Sequence, residues 1–510
     1  MRRVLSAVVL SFSLCPGSAP AQDAPAPTRT TEEAAPIPDG APDALRAIDR
    51  TDLRRHAEYL AADERAGRHT GSPGQQEAAV YIAKRFEEVG LRPLGDKKGS
   101  SRSFFQEYPL ERTSLDPKGT SLSIGSADFA RGWALAPGDK DDKGSIAGEL
   151  VDCGHGDPAD LPKGFGKKIP VITLRSVGGG ARSGLLAGLS MNKVKAIQRE
   201  LEQRGARLAI FLLDAEGGVA DQVSLHALMP DRPLVRRPAS GDNVVRGLGA
   251  KPALFAAGAC ADAIRTAMEG EGKGTVKLRY AVLEEPKFKA VNVCAYRPGR
   301  SREAVVFSAH MDHVGIRIDG DVYNGADDNA SGSSGLLECA EAIAKAGDLD
   351  RTVVFLSVSG EELGLWGSEW FSEHPEWPIE AIIADINIDM IGRLTDSAGP
   401  DQIEVTPTFR HAEYSTLVKT AATVAARMGM SLTSGDQYYE RSDHYNFARK
   451  GVPVVFFCNG EHPDYHKATD EVQKLDFAKM ERVARLACWT GLEVIAAKGK
   501  PQRLGARDDW

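Results

Sequence analysis

Five short clusters in the second half of this 510-residue chain bring imidazoles and carboxylates together. AHMDHVG, Ala309 to Gly315, carries His310, Asp312 and His313. NGADDNASG surrounds Asp327, SGEELGLWGS holds Glu361 and Glu362, NIDMIGR holds Asp389, and PDYHKATDE holds His466. Imidazole nitrogen and carboxylate oxygen are zinc donors, and a catalytic zinc keeps one position open for water. Two zincs about 3.5–4 Å apart call for a carboxylate between them. Asp327 is the expected bridge, because its glycine-flanked loop allows close backbone approach. His310, Glu362, Asp389 and His466 then supply the remaining donors. Glu361, beside Glu362 but off the metals, is the expected general base. Taken singly, each cluster has a blander reading: a solvated turn, or acids favoured at a helix start. All five in one order make the chemical reading the better one.

The elements that must position these residues alternate. Val305–Ser308, Val353–Val358, Ala381–Ile388 and Pro453–Cys458 read as compact apolar strands. Helical stretches such as Ser334–Lys345 and Tyr414–Met428 lie between them. Such alternation predicts an α/β layer with a largely parallel sheet and helices on both faces. Ligands gather at the carboxyl ends of strands in these sheets, which is where the clusters fall. A last amphipathic helix is expected near Leu475–Ala497, and residues 498–510 read as a polar tail.

Upstream, Asp52–Ala62 is amphipathic through Leu53, Ala57 and Leu60, and Gln75–Val89 has a helical period that Gly90 ends. Residues 45–115 are expected to form the N-terminal part of the domain completed by 290–497. Between them, 116–289 reads as an insert, with strands at Pro170–Leu174 and Leu208–Leu213 and a helix at Asn192–Arg204. Gly178-Gly179-Gly180 lacks the Lys-Ser/Thr of a phosphate loop and reads as a flexible turn.

The five clusters, at His310–Gly315, Asn324–Gly332, Gly360–Ser368, Asn387–Gly392 and Tyr465–Asp470, resemble the motifs of the dizinc aminopeptidase family. These are the clan MH zinc exopeptidases, which include leucyl aminopeptidase, glutamate carboxypeptidase and the non-catalytic transferrin receptor. The resemblance covers about Asp52–Leu115 and Ala290–Ala497. It implies a mixed, largely parallel sheet sandwiched by helices, of phosphorylase/hydrolase-like type. It also implies two Zn2+ per chain, one held by His310 and Asp389, the other by Glu362 and His466, with Asp327 bridging. Glu361 would be the base acting on a metal-bridging water, and Asp312 would orient His310. Tyr465 resembles the family's oxyanion donor, and Arg441, in RSDHYNF, is a further candidate for substrate contact. The insert resembles a β-rich protease-associated domain, which in this family borders the cleft. An aminopeptidase acting on peptides is the expected activity. A carboxypeptidase or dipeptidase is the alternative, with a receptor-like binding protein and a one-zinc glutaminyl cyclase behind it. His313 is expected to support a neighbouring metal ligand or its own loop. The adjacent Ser442-Asp443-His444 is not read as a catalytic triad, since triads assemble from separate segments, and the absence of HExxH disfavours the helical zincins.

The start of the chain reads as a secretory signal over 1–21, with Arg2 and Arg3, an apolar Val4–Leu14 and an Ala19-Pro20-Ala21 cleavage site. Its apolar run is too short to span a bilayer. Export to the periplasm or outside is therefore expected, followed by a Pro- and Ala-rich linker over 22–44. Anchoring as a lipoprotein through Cys15 is a lesser alternative, because Leu14 stands where a small residue is wanted. The formal charge of -8 argues against nucleic acid and anionic membranes as partners. Most of the other six cysteines sit in apolar surroundings where a free thiol is usual, though export would allow a bridge that sequence alone does not pair.

Overall fold

The computed structural model describes residues 37–508, apart from 139–141, 175–182, 214–222, 224–226, 231, 239–247 and 270–273. The signal-like start with Cys15, the first part of the linker and the Gly178–Gly180 turn lie outside the described residues. Asp43–Ala47 forms a 3-10 helix that buries Leu45.

Helix α1, Arg50–Leu60, starts where the Asp49 carboxylate accepts the Thr51 and Asp52 amides, and it buries Leu53, Ala57 and Leu60 as its period predicts. Helix α2, Pro73–Glu88, is capped by Ser72 and has proline in its first turn, where a missing N–H costs nothing. It buries Ala79, Ile82 and Phe86. Strand β1, Phe105–Leu115, pairs antiparallel with β2, Thr275–Arg297. The end of β2, Val293–Arg297, pairs antiparallel with Arg351–Val358.

Four parallel strands make the middle of the main sheet. In chain order they are β3 (Ser301–His310), β4 (Arg351–Val358), β5 (Ile382–Ile388) and β6 (Val454–Cys458). In space the order is β4-β3-β5-β6, with His310 opposite Val358, Phe307 opposite Ile386, and Ile388 opposite Phe457. Gln402–Thr406 then adds antiparallel to β6, making the sheet mixed. Both faces are covered. Val305, Phe307, Val353 and Phe355 point into a core shared with α1, α2, α3 (Gly332–Lys345) and α4 (Phe477–Ala496). Their alternates Val306, Val354 and Leu356 point into a second core with Phe371 and Phe447. Burial on both faces is why these strands read as unbroken apolar runs.

Residues 116–274 build a separate layer. Trp133–Ala136, Ala253–Ala256, Ala209–Leu212, Ile169–Thr173 and the end of Lys143–Asp152 form one sheet. Helices Ser183–Gln203 and Gly258–Glu269 accompany it. The insert has cores of its own, centred on Phe211 and Phe255 on one face and Leu135 and Ile210 on the other. Its first strands also pair with the opening of β2, which runs on through residue 289 into the main sheet. The six described cysteines are free and buried. Among the described residues no helix is long and apolar enough to cross a membrane.

Candidate metal centre

The carboxyl ends of β3, β4, β5 and β6 open side by side, and the five clusters converge there. His310 ends β3 and is buried. Its Nε2 lies 3.2 Å from Asp389 Oδ1, just past β5, and 3.5 Å from Asp328 Oδ1. The other Asp328 oxygen, Oδ2, is 3.0 Å from His466 Nε2. His466 Nε2 is also 3.0 Å from Glu362 Oε2. Two donor groups result: His310, Asp328 and Asp389, and His313, Asp328, Glu362 and His466. Asp328 is common to both.

This corrects the expected bridge by one residue. The Asp327 carboxylate turns away from His310 and His466. It accepts the Gly392 amide at 2.6 Å and Asn459 Nδ2 at 3.0 Å, with His462 Nε2 at 3.2 Å. The Asp327 and Asp328 amides both donate to Asp470. Asp327 thus fixes its own loop to the turn after β5, and Asp328 is left to face the site. The two residues point apart because the chain bends sharply between Gly325, which is left-handed at φ 55, and Asn329. The Asp328–Asn329 peptide is cis.

Asp312 also has a role beyond the expected one. Its carboxylate is 3.8 Å from His310 Nδ1, which lies nearer the Asp312 backbone oxygen at 3.2 Å. The carboxylate accepts Thr70 Oγ1 at 2.7 Å and the Glu361 amide at 3.3 Å. Thr70 Oγ1 in turn accepts the Gly360 amide at 3.0 Å. Asp312 therefore sets the loop that presents Glu361 as well as lying beside His310. Asp389 is set by Ser442, whose hydroxyl donates to Oδ2 at 2.9 Å and accepts from Asn387 Nδ2 at 2.8 Å.

Glu361 is brought to the site but belongs to neither donor group. Its Oε2 is 4.0 Å from His310 Nε2. Burial pushes its carboxyl well above the usual range; His310 opposes the shift, and Glu362 and Asp389 add to it. Glu362 behaves oppositely. Burial alone would raise it, but His466 and His313 hold it well below the ordinary value. Burial likewise works against charge on His466 and His310, yet their carboxylate neighbours push both well above the usual imidazole range.

These residues fit a pair of bound cations. Asp389 Oδ1 and His466 Nε2 are buried without a well-directed hydrogen bond, although charged partners stand 3.0–3.2 Å away. Atoms that crowd without bonding each other are converging on a common point. The donors are the imidazoles and carboxylates that suit zinc.

A cleft beside the centre is lined by Asp328, Glu361, Asp389, Met390, Phe456 and Cys458 at its floor and Tyr438, Arg441, Glu461 and Tyr465 at its rim. Tyr465 stacks on His466 with ring centroids 4.0 Å apart. Arg441 pairs with Glu461 at 2.6 Å and reaches the Tyr465 hydroxyl at 3.4 Å. Both residues singled out in the sequence therefore border the centre.

Sequence reasoning missed Arg68 and Thr70. Arg68 is 1 % exposed and donates to the Leu60, Met311, Asn324 and Gly325 carbonyls. It thereby ties the end of α1 to both the His310 and the Asp328 loops. Its partners are backbone oxygens, so no sequence pattern announces it. Ser442 was visible, but only as part of a triplet weighed as a triad.

Fold and site together define a mixed α/β domain with two adjoining metal-donor groups at the carboxyl edge of its parallel strands. Residues 292–490 match the model of Peptidase family M28. Leucine aminopeptidase 1 of Leptosphaeria maculans is 28% identical over 222 residues, 41% of this chain and 57% of that one. A probable leucine aminopeptidase of Arthroderma otae is 29% identical over 228 residues, 42% of this chain and 60% of that one. The chain thus spans under two thirds of the length of these relatives. Among solved structures, BSAP, a zinc aminopeptidase from Bacillus subtilis, shares the fold with a TM-score of 0.56 at 18% identity, covering 89% of this chain and 97% of that one.

Proposed function

We propose that this protein is an exported zinc-dependent exopeptidase, an aminopeptidase that removes N-terminal residues from peptides. The observation that carries the reading is Asp328, shared between two donor groups with Glu361 poised beside both and part of neither. The names of the relatives, leucine aminopeptidase and zinc aminopeptidase, support the same activity. His310 and Asp389 would hold one Zn2+, His466 and Glu362 the other, and Asp328 would lie between. Bound there, the metals would supply Lewis acidity toward a substrate carbonyl and acidify a water. Glu361 takes the proton of the attacking water and returns it to the leaving amine. Its raised carboxyl suits both halves of that task. Tyr465, at the rim, is placed to donate to the developing oxyanion. Ser442 and Asp312 hold Asp389 and the Glu361 loop in position.

We read the insert as a protease-associated domain that borders the cleft. Arg232 Nη1 donates to Val314 O at 3.2 Å, and the Arg237 guanidinium lies 5.4 Å from the Trp366 ring centre. The first contact falls on the loop that carries His310 and His313, the second on the helix that follows Glu361 and Glu362. Amino-acid p-nitroanilides and their amino-blocked forms, with and without chelator, test the activity alongside metal analysis. Chelator-sensitive cleavage of the free-amine substrates alone, with two zincs per chain, is expected. Two zincs with cleavage only of substrates bearing a free carboxylate would move the assignment to a carboxypeptidase, with Arg441 the cation nearest to hand.

A further inference from the structure

We propose that His313 is a direct metal donor, so that the two metal positions are unequal: one closed by four protein side chains, the other open with three. The inference rests on the dizinc reading above. His313 is fully buried, and its Nδ1 lies 2.7 Å from Glu362 Oε1 and 3.8 Å from Asp328 Oδ2. One donor atom from each of His313, Asp328, Glu362 and His466 falls within 4.8 Å of all the others. Tetrahedral zinc with bonds of about 2.0–2.1 Å separates its donors by roughly 3.3 Å, so these four need only small adjustments. His310, Asp328 and Asp389 form a three-donor group by the same measure.

The ring is held facing inward rather than arriving there by chance. A Cβ on Gly325 would come within 2.5 Å of His313 Cγ and Cδ2, so the imidazole lies close against bare backbone. The His313 amide donates to Arg68 O at 3.3 Å, and two residues on, the Gly315 amide donates to Gly67 O at 3.0 Å. The His466 ring meets His313 edge-on, with centroids 5.6 Å apart. Both imidazoles thus approach Glu362, one at each carboxylate oxygen.

A four-donor site is closed and retains its metal; a three-donor site keeps a position for water or substrate. The His466 group therefore loads first and holds a resident ion. The His310 group, beside Glu361, takes the exchangeable ion that faces the reaction.

X-ray absorption at the zinc edge counts imidazoles directly. The metal-free full-length protein and His310→Ala are each given one equivalent of zinc. Two imidazoles per zinc are expected in both. One imidazole per zinc in His310→Ala overturns the inference and leaves His313 as a hydrogen-bonding partner of Glu362. His313→Gln provides the second measurement: its first zinc should show one imidazole in place of two, and an unchanged count overturns the inference again. Two zincs with normal cleavage but a single imidazole would sink this inference alone. No zinc uptake by the wild-type chain would sink the dizinc reading with it.

Discussion

Two neighbouring aspartates do different work, and substitution separates them. Asp328→Asn removes the charge that lies between the two donor groups, so zinc content should fall at both. Asp327→Asn keeps an acceptor for the Gly392 amide and leaves Asp328 in place, so zinc content should stay near two. Metal analysis of both variants checks the assignment; the opposite pattern would return the bridge to Asp327. Glu361→Gln should keep its zinc and lower kcat by roughly 10²–10⁴-fold, the usual loss for a general base. Full activity in that variant would remove Glu361 from the mechanism. His444 offers a test apart from catalysis. Burial, with its ring stacked on Phe456, pushes its pKa down to about 3. The unfolded chain takes up a proton near pH 6.5 that the folded chain refuses, so this contribution to stability is lost as pH falls from 6.5 toward 3. At pH 5 the loss is about 2 kcal/mol. His444→Phe should shrink the stability drop between pH 7 and pH 5 by that amount in urea titrations, and an unchanged drop would show that His444 is charged in the fold.

At the scale of elements, the site depends on loops held by an N-terminal segment far away in sequence. Arg68 binds four carbonyls, one at the end of α1 and three on two of these loops. Arg68→Ala would strand buried acceptors that cost about 1–3 kcal/mol each. A loss of more than about 3 kcal/mol in unfolding free energy is expected, with weakened zinc uptake, and calorimetry with metal titration measures both. Stability within 1 kcal/mol of wild type, on the scale of an ordinary surface change, would show that water replaces the guanidinium. What could be read from the sequence follows the same division. The four parallel strands and their loaded ends were legible because both-face burial gives unbroken apolar runs and the clusters follow them directly. The choice between Asp327 and Asp328 was not, since it turns on a bend that neither residue type encodes. Thr70 and Arg68 act through amides and carbonyls, which every residue has. One helix and two strands of the insert were seen, while the helix Gly258–Glu269 and strands such as Trp133–Ala136 and Ala253–Ala256 were not, and nothing in its composition signals that β2 carries on through both sheets.

For the whole molecule, the metals and the fold are linked. Any ligand held by the folded state alone stabilises it, by about 4 kcal/mol at a thousandfold excess over Kd. Chelation should therefore lower Tm by at least about 4 °C, reversed by adding zinc, because the donor loops join β3, β4, β5 and β6 at one edge. A Tm indifferent to chelator and zinc would mean that the centre binds no tight ion. The same measurement on Asp327→Asn separates the loop's own contribution from that of the ions.

Strand β2 has a mechanical consequence. It pairs first with the insert, then with β1, then with β4, over 23 residues without leaving the ladder. Its register slips only between Glu285 and Phe288, beside Arg112, which pairs with Glu285 and lies 4.3 Å over the Phe288 ring. The insert and the main sheet are thus joined by a continuous strand with one break in its pairing, and Leu234–Arg236 of the insert adds a further pairing to β1. The break lies against the active edge: a Cβ on Gly71 would meet Phe288 at 2.8 Å, and Thr70 beside it holds Asp312. A shift of the strand at that break would therefore meet Gly71 and, through Thr70 and Asp312, the loop that aims Glu361.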